Sequence, residues 1–292
     1  MQAKLILKIA TLTVLLFCIF AAASQIAGLD DSAQSADPTG AALGLLFVCF
    51  LVSTVISYPV IRSRWSGWKL VVTICAVIFG IQTFLTQIET IVFLEHLVDI
   101  IEPATVSKLF VQGAIIAVLF APLVVLVHGK IRKSSEPEQD EPNVRLVMPI
   151  KQWIWKLLLV GVIYFIIYTA FGMFVFIPLA GEAFQEYYTD LQMPAWMPLF
   201  QMARALVWAA LAMPIIRMMK GEWWEAGLAV ALLYSILMGA LLLIPTEIMP
   251  DRIRMSHLVE VTTSNFLFGW LVVWILHKKH NSFWELFQKT NS

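Results

Sequence analysis

The sequence predicts an all-α polytopic membrane protein, with eight transmembrane helices arranged as two parallel, diverged four-helix repeats and both termini cytoplasmic. Three observations predict it. Apolar residues make up 60% of the chain and charged ones 14%, outside the range of soluble domains. Eight apolar segments approach or exceed the roughly 20 residues that a helix needs to cross a bilayer. The second four of these echo the first four in order and spacing.

The spans are residues 9–27, 41–61, 70–90, 106–128, 154–179, 197–217, 226–246 and 258–276. Span 1 follows Lys4 and Lys8 and ends in AAAS, a pattern that also describes a secretory signal with a small-residue cleavage site; it is read here as a helix. Span 2 opens on GAALG, Gly40 to Gly44, a small-xxx-small pattern that lets helix backbones approach. Span 3 continues into GIQTFLTQIETIVFLEHLVDIIEP, where nothing breaks the helical pattern before Pro103, so the helix is expected to run from Val71 to Ile101, about 45 Å. Span 4 leads into GKIRKSSEPEQDEPNVRLVMP, the charged and proline-bearing linker. The units are therefore 1–130 and 151–280, joined by a cytoplasmic linker at 131–150 and followed by an interfacial C-terminal segment, 281–292, with Phe283, Trp284 and Phe287 on lipid.

Orientation follows from lysine and arginine, which crowd the cytoplasmic side of a membrane. Lys4, Lys8, Arg62, Arg64, Lys69, Lys130, Arg132, Lys133, Arg145, Lys151, Lys156, Arg217, Lys220, Lys278, Lys279 and Lys289 fall on one side; Lys108, Arg252 and Arg254 fall on the other. Tryptophans 65, 68, 153, 155, 223, 224, 274 and 284 cluster at the same inner interface. The expected location is a bacterial-type cytoplasmic membrane. His128, His277 and His280 read as anchors at its inner surface.

The repeat rests on aligned segments. SYPVIRSRWSGW from Ser57 sets against AMPIIRMMKGEW from Ala212, sharing proline, isoleucine, arginine and tryptophan. Val106 to Lys130 sets against Met255 to Lys279, and Leu7 onward against Trp155 onward. Two copies with an even number of spans share one orientation, related by an axis along the membrane normal, which makes a cleft between halves the natural site.

Polar residues inside spans mark that site, because a buried charge in a bilayer is kept only where it has a partner or a wet cavity. Gln82, Glu89 and His96 recur every seven residues and form one stripe on span 3, with Gln87 off it. Span 8 carries Arg254, His257, Glu260 and Ser264 at i, i+3, i+4 spacing, with Asn265 beside them. Arg204 falls about 12 Å below the outer surface of span 6, with Glu89 and Glu260 as candidate partners. Glu247, between Pro245 and Pro250, is the one plausible repeat counterpart of Glu89, at a shifted offset. The site itself is not two-fold: Arg204 corresponds to Cys49, His257 to Lys108 and Glu260 to Val111.

Three functions fit these residues. The first is a transporter or permease whose outward-opening cleft uses Glu89 or Glu260 to load and release a proton, burial raising a carboxyl pKa and a nearby arginine lowering it. The second is a membrane-embedded enzyme on a lipid-type substrate. His257 and Glu260 offer a weak metal pair, but the chain has no HExxH, no GxSxG and no nucleophilic cysteine beside a histidine. The third is a non-catalytic subunit or sensor that docks a protein or a second copy. Cys18, Cys49 and Cys75 lie in separate apolar runs and suggest neither a disulfide nor a metal. No cofactor is expected, and a neutral net charge gives no field for nucleic acid. A small molecule, ion or lipid is the expected ligand.

Overall fold

A computed structural model describes residues 2–29, 37–92, 103–132, 143–188, 193–246, 249–280 and 282–287. Among these residues the secondary structure is helical, with no strand and one isolated backbone bridge. That is what a bilayer demands, since a helix satisfies its own N–H and C=O groups where no water can. Eight helices are long and apolar enough to cross a membrane: α1 (Gln2–Ile26), α2 (Pro38–Ile61), α3 (Gly67–Val92), α4 (Pro103–Val127), α5 (Ile150–Ala180), α6 (Met197–Met218), α7 (Trp223–Leu243) and α8 (Asp251–Leu276). The chain is a multi-pass membrane protein, and a lipid bilayer is its environment.

In the first half α1 packs on α2 and α4, and α3 on α4; in the second half α5 packs on α6 and α8, and α7 on α8. Between the halves α2 meets α7 and α3 meets α6. The ends of α2 and α6 on the side that the sequence assigns as inner are joined by backbone: Arg64 N–H donates to Met218 O (2.7 Å) and Lys220 N–H to Arg62 O (2.8 Å), flanking the Ser63–Met219 bridge. Arg62 pairs with Glu225 at the start of α7. Arg145, from the linker, donates to Ile216 O (3.2 Å), Met219 O (2.8 Å) and Gly221 O, supplying donors to carbonyls at and beyond the end of α6.

Close approach is set by small residues. A Cβ on Gly269 of α8 would lie 2.8 Å from Ala231 Cα, so α7 and α8 touch backbone to backbone there. In the GAALG pattern only Gly44 has this role, against Leu243 O and Ile244 Cα of α7, while Gly40 N–H is capped by Asp37.

Span 3 departs from the sequence expectation. A π-helical turn, Phe79–Phe84, interrupts α3 in its outer half, and a π turn adds a residue to the period. The turn is wedged between neighbours: a Cβ on Gly80 would meet Leu211 of α6 at 2.7 Å, and one on Gly113 of α4 would overlap Thr83. The seven-residue stripe assumed an unbroken helix, and Gln87, expected off it, is as buried as Gln82. The described helix ends at Val92. A second π turn, Gly172–Phe176, lies in the outer half of α5.

The inner histidines also differ from expectation. His277 stacks on Trp223 (4.9 Å, 20°), and His280 Nδ1 lies 2.9 Å from Lys156 Nζ, which also donates to Lys278 O (2.6 Å). Lys156 and His280 are 0% and 1% exposed, so these are interior groups rather than surface anchors. His128 bonds Ser57 Oγ at 2.9 Å. Burial, the main cause in each case, holds all three imidazoles down to about 4, with nearby lysines acting in the same direction on each.

Candidate functional site

The polar residues of α3 and α6 meet in the half of the bundle away from the Ser63–Met219 bridge, the half that the sequence assigns as outer. Arg204 sits two turns into α6 and turns its guanidinium onto α3: Nη2 lies 2.6 Å from Glu89 Oε2 and donates to Leu85 O at 2.9 Å. Nη1 reaches Gln201 Oε1 at 3.4 Å, and the group lies 6.0 Å above the Tyr164 ring of α5. The pair is asymmetric: the Arg204 side chain is 2% exposed and that of Glu89 25%. The cation is sealed in protein while the acid retains an open side.

Three buried polar atoms at this level of α3 and α6 have no protein partner: Gln82 Nε2, Gln87 Oε1 and Arg204 Nε. Unpaired buried donors and acceptors cost about 1–3 kcal/mol each, so such a group normally has water, an ion or a ligand to meet. One turn inward from Arg204 the character changes. Trp208, Tyr234, Tyr164 and Phe268, from four different helices, form an aromatic layer, with Trp208–Tyr234 at 4.3 Å and Tyr164–Phe268 at 4.7 Å between ring centres. Tyr234 Oη is tied to Trp208 O. This layer separates the polar outer half from the inner junction of α2 and α6.

A second group lies on α8. His257 Nδ1 is 3.1 Å from Glu260 Oε2, and its Nε2 is 3.0 Å from Tyr188 Oη, just past the short outer helix Glu182–Tyr187. The Phe176 ring, from the π turn of α5, stacks on the imidazole at 3.9 Å and 17°. Tyr164 of α5 lies under the Arg204 guanidinium and Tyr188 bonds His257, so α5 and the segment after it touch both groups. Burial, then Tyr187, then Glu260 and Glu89 push the Tyr188 hydroxyl above its ordinary value.

Nothing matches this chain in comparisons with family models, curated proteins and solved structures.

Of the residues singled out in the sequence, Glu89 and Arg204 are brought into contact, and His257 and Glu260 pair with each other rather than with Arg204. Arg254 turns away, to Asp251 (2.6 Å) and Leu242 O (2.6 Å) at the end of α7, where it ties α7 to α8. Asn265 donates to Val261 O of its own helix. His96 and Glu247 lie outside the described residues. Both ring nitrogens of His257 are engaged, leaving neither for a metal, and no group of three metal-ligating side chains occurs among the described residues. Sequence reasoning missed Gln201, Tyr164, Tyr168 and Tyr188. Gln201 stands one turn before Arg204, and Tyr164 and Tyr168 are spaced i, i+4 on one face of α5, signals that were present. Nothing local to Tyr188 pointed to His257.

Proposed function

We propose that the chain is a proton-coupled transporter or permease of a bacterial-type cytoplasmic membrane, with both termini cytoplasmic and an outward-facing polar cleft between two diverged four-helix repeats. The observation that carries this reading is the Arg204–Glu89 pair, a sealed cation on an acid that keeps an open side. An acid so placed can exchange its partner for a proton. The arginine, released, becomes available to an anionic or polar solute, and binding and protonation are thereby coupled. A purely structural pair gains nothing from leaving one member open beside three unpartnered buried atoms.

Packing supports the repeat. The contacts of α1 with α2 and α4, and of α3 with α4, recur as α5 with α6 and α8, and α7 with α8. The contact of α2 with α7 has its mate in α3 with α6. The Ser63–Met219 bridge ties α2 to α6 at one end of the bundle, and the Glu89 side chain toward the other is one quarter exposed, which favours the outward-facing reading.

The test uses proteoliposomes carrying an internal pH dye and energised by a potassium diffusion potential, challenged in turn with amino acids, organic acids and organic cations. At least one class should drive a pH change in the native protein, and Glu89→Gln and Glu260→Gln should abolish it. Unchanged flux in both variants would remove the proton role. A native protein inert to every class would remove transport.

A further inference from the structure

The group on α8 has an order that its distances make legible. A carboxylate can only accept a hydrogen bond, so in the neutral ring Nδ1 of His257 carries the proton given to Glu260, and Nε2 is left as an acceptor for the Tyr188 hydroxyl. The ring is held in that plane by the parallel face of Phe176. Tyr188 is half-buried just past the outer helix, and Glu260 is buried one turn further along α8. The raised Tyr188 hydroxyl keeps its proton at ordinary pH and stays a donor. We propose that Tyr188, His257 and Glu260 form a proton relay that conducts from the outer surface to the Glu260 carboxylate at the edge of the cleft.

One transfer balances as follows. A hydronium at the outer mouth gives its proton to Tyr188 Oη and leaves as water, while the Oη proton passes to His257 Nε2. The Nδ1 proton passes to Glu260 Oε2. Three bonds to hydrogen form (at Oη, Nε2 and Oε2), and three break (in the hydronium, at Oη and at Nδ1). The imidazole stays neutral in its other tautomer, and the positive charge of the hydronium and the negative charge of the carboxylate cancel. Resetting requires the ring to turn over, against the Phe176 stack.

Among the described residues, Glu182 and Glu186 stand on the short helix that leads into Tyr188, and Arg252 donates to Leu179 O (3.3 Å). On its own helix Arg254 is occupied by Asp251 and Leu242 O. From α5, Tyr164 and Tyr168 sense Glu260, and from α3 Glu89 acts on the same tyrosines. The Tyr187 ring lies edge-on to that of Tyr188 at 4.8 Å.

The inference deepens the transport reading and rests on it for the use made of the proton. Its test needs no transported solute. The protein is reconstituted in vesicles, external pH is dropped in a rapid-mixing cell, and growth of the protonated-carboxyl stretch is followed by time-resolved infrared spectroscopy, with the Glu260 band assigned by its loss in Glu260→Gln. Tyr188→Phe keeps every ring contact and removes only the hydroxyl. It should reach the same final amplitude about a hundredfold more slowly, the order of effect of a positioned proton donor. His257→Gln should slow the band at least as much, and Phe184→Leu, which loosens the aromatic packing alone, should leave the rate unchanged. Equal rates in the native protein and Tyr188→Phe would overturn the relay. So would equal slowing in Phe184→Leu, or a Glu260 band absent at every pH. The relay can fail while the fluxes stand, and the fluxes can fail while the relay stands, so the two readings are separately exposed.

Discussion

The Arg204–Glu89 pair makes the sharpest energetic prediction, because its two members differ in burial. With the closest N···O distance at 2.6 Å, the charge centres are about 4 Å apart, and at an effective dielectric of about 20 their attraction is about 4 kcal/mol. Desolvation of the guanidinium offsets most of that, so the pair contributes little net stability, but breaking it from one side is a different matter. Glu89→Gln leaves a sealed cation with a neutral amide, and the expected cost is about 3 kcal/mol. Arg204→Met leaves an acid that is one quarter exposed and can take water or a proton, so its cost is about half as large. The double variant, with no charge to strand, should return to within about 1 kcal/mol of the native protein. Equilibrium unfolding in mixed detergent and dodecyl sulfate micelles measures all three. Additivity of the single changes to within about 0.5 kcal/mol would refute the pairing, and a larger cost for Arg204→Met than for Glu89→Gln would refute the asymmetry on which the functional reading depends.

The partly or fully buried histidines predict acid sensitivity. His128, His277 and His280 are held at about 4, below the ordinary 6.5. Between those values the unfolded chain binds protons that the folded one refuses, so stability is full above about pH 6.5 and falls by on the order of 3 kcal/mol per ring as pH drops to about 4; the same unfolding assay run across pH should show a shallower fall in His280→Asn. At the inner junction, Ser63→Cys with Met219→Cys places two thiols at directly opposed bridge positions, within reach of a disulfide. Oxidation should yield an internally cross-linked chain, seen by blocked maleimide labelling, and should arrest flux until reductant is added; free flux in the cross-linked protein would show that this junction stays shut throughout. Gly269→Ala should destabilise by about 1–3 kcal/mol, since its Cβ would press on Ala231 backbone, whereas Gly172→Ala, with open space around it, should not destabilise.

The spans were legible because a bilayer imposes length and apolarity on any segment that crosses it, and the structure has helices at all eight places. Local register was less so. The π turn of α3 is imposed by neighbours, Leu211 on one side and Gly113 on the other, and no residue within Phe79–Phe84 announces it. Arg204 was legible as a charge needing a partner, but the choice of Glu89 over Glu260 depends on how α3 and α6 cross. The inner histidines were misread for the same reason: beside Lys278 and Lys279 they look like surface residues, and only the fold brings Lys156 and Trp223 over them.

On the proposed duplication, the α3–α6 contact that holds the ion pair has a mate in the contact of α2 with α7. Carried across at the offset that relates Arg204 to Cys49, Glu89 falls at about Ile244, one turn short of Glu247, which the shifted offset would give it. Cys49 is buried, and in that mate interface Gly44 lies against the backbone of Leu243 and Ile244, so the two helices close directly on one another. The same pair of surfaces is thus apolar and shut on one side of the axis, and charged and partly open on the other. A two-fold scaffold with one polar seam opens on that seam, and the shut seam serves as its hinge. Gly44→Leu should therefore act at a distance, wedging the hinge. Thiol labelling of a cysteine placed at Gln87 reads it: faster labelling from outside than in the native background agrees with a hinge at α2–α7, and an unchanged rate means that the two seams move independently.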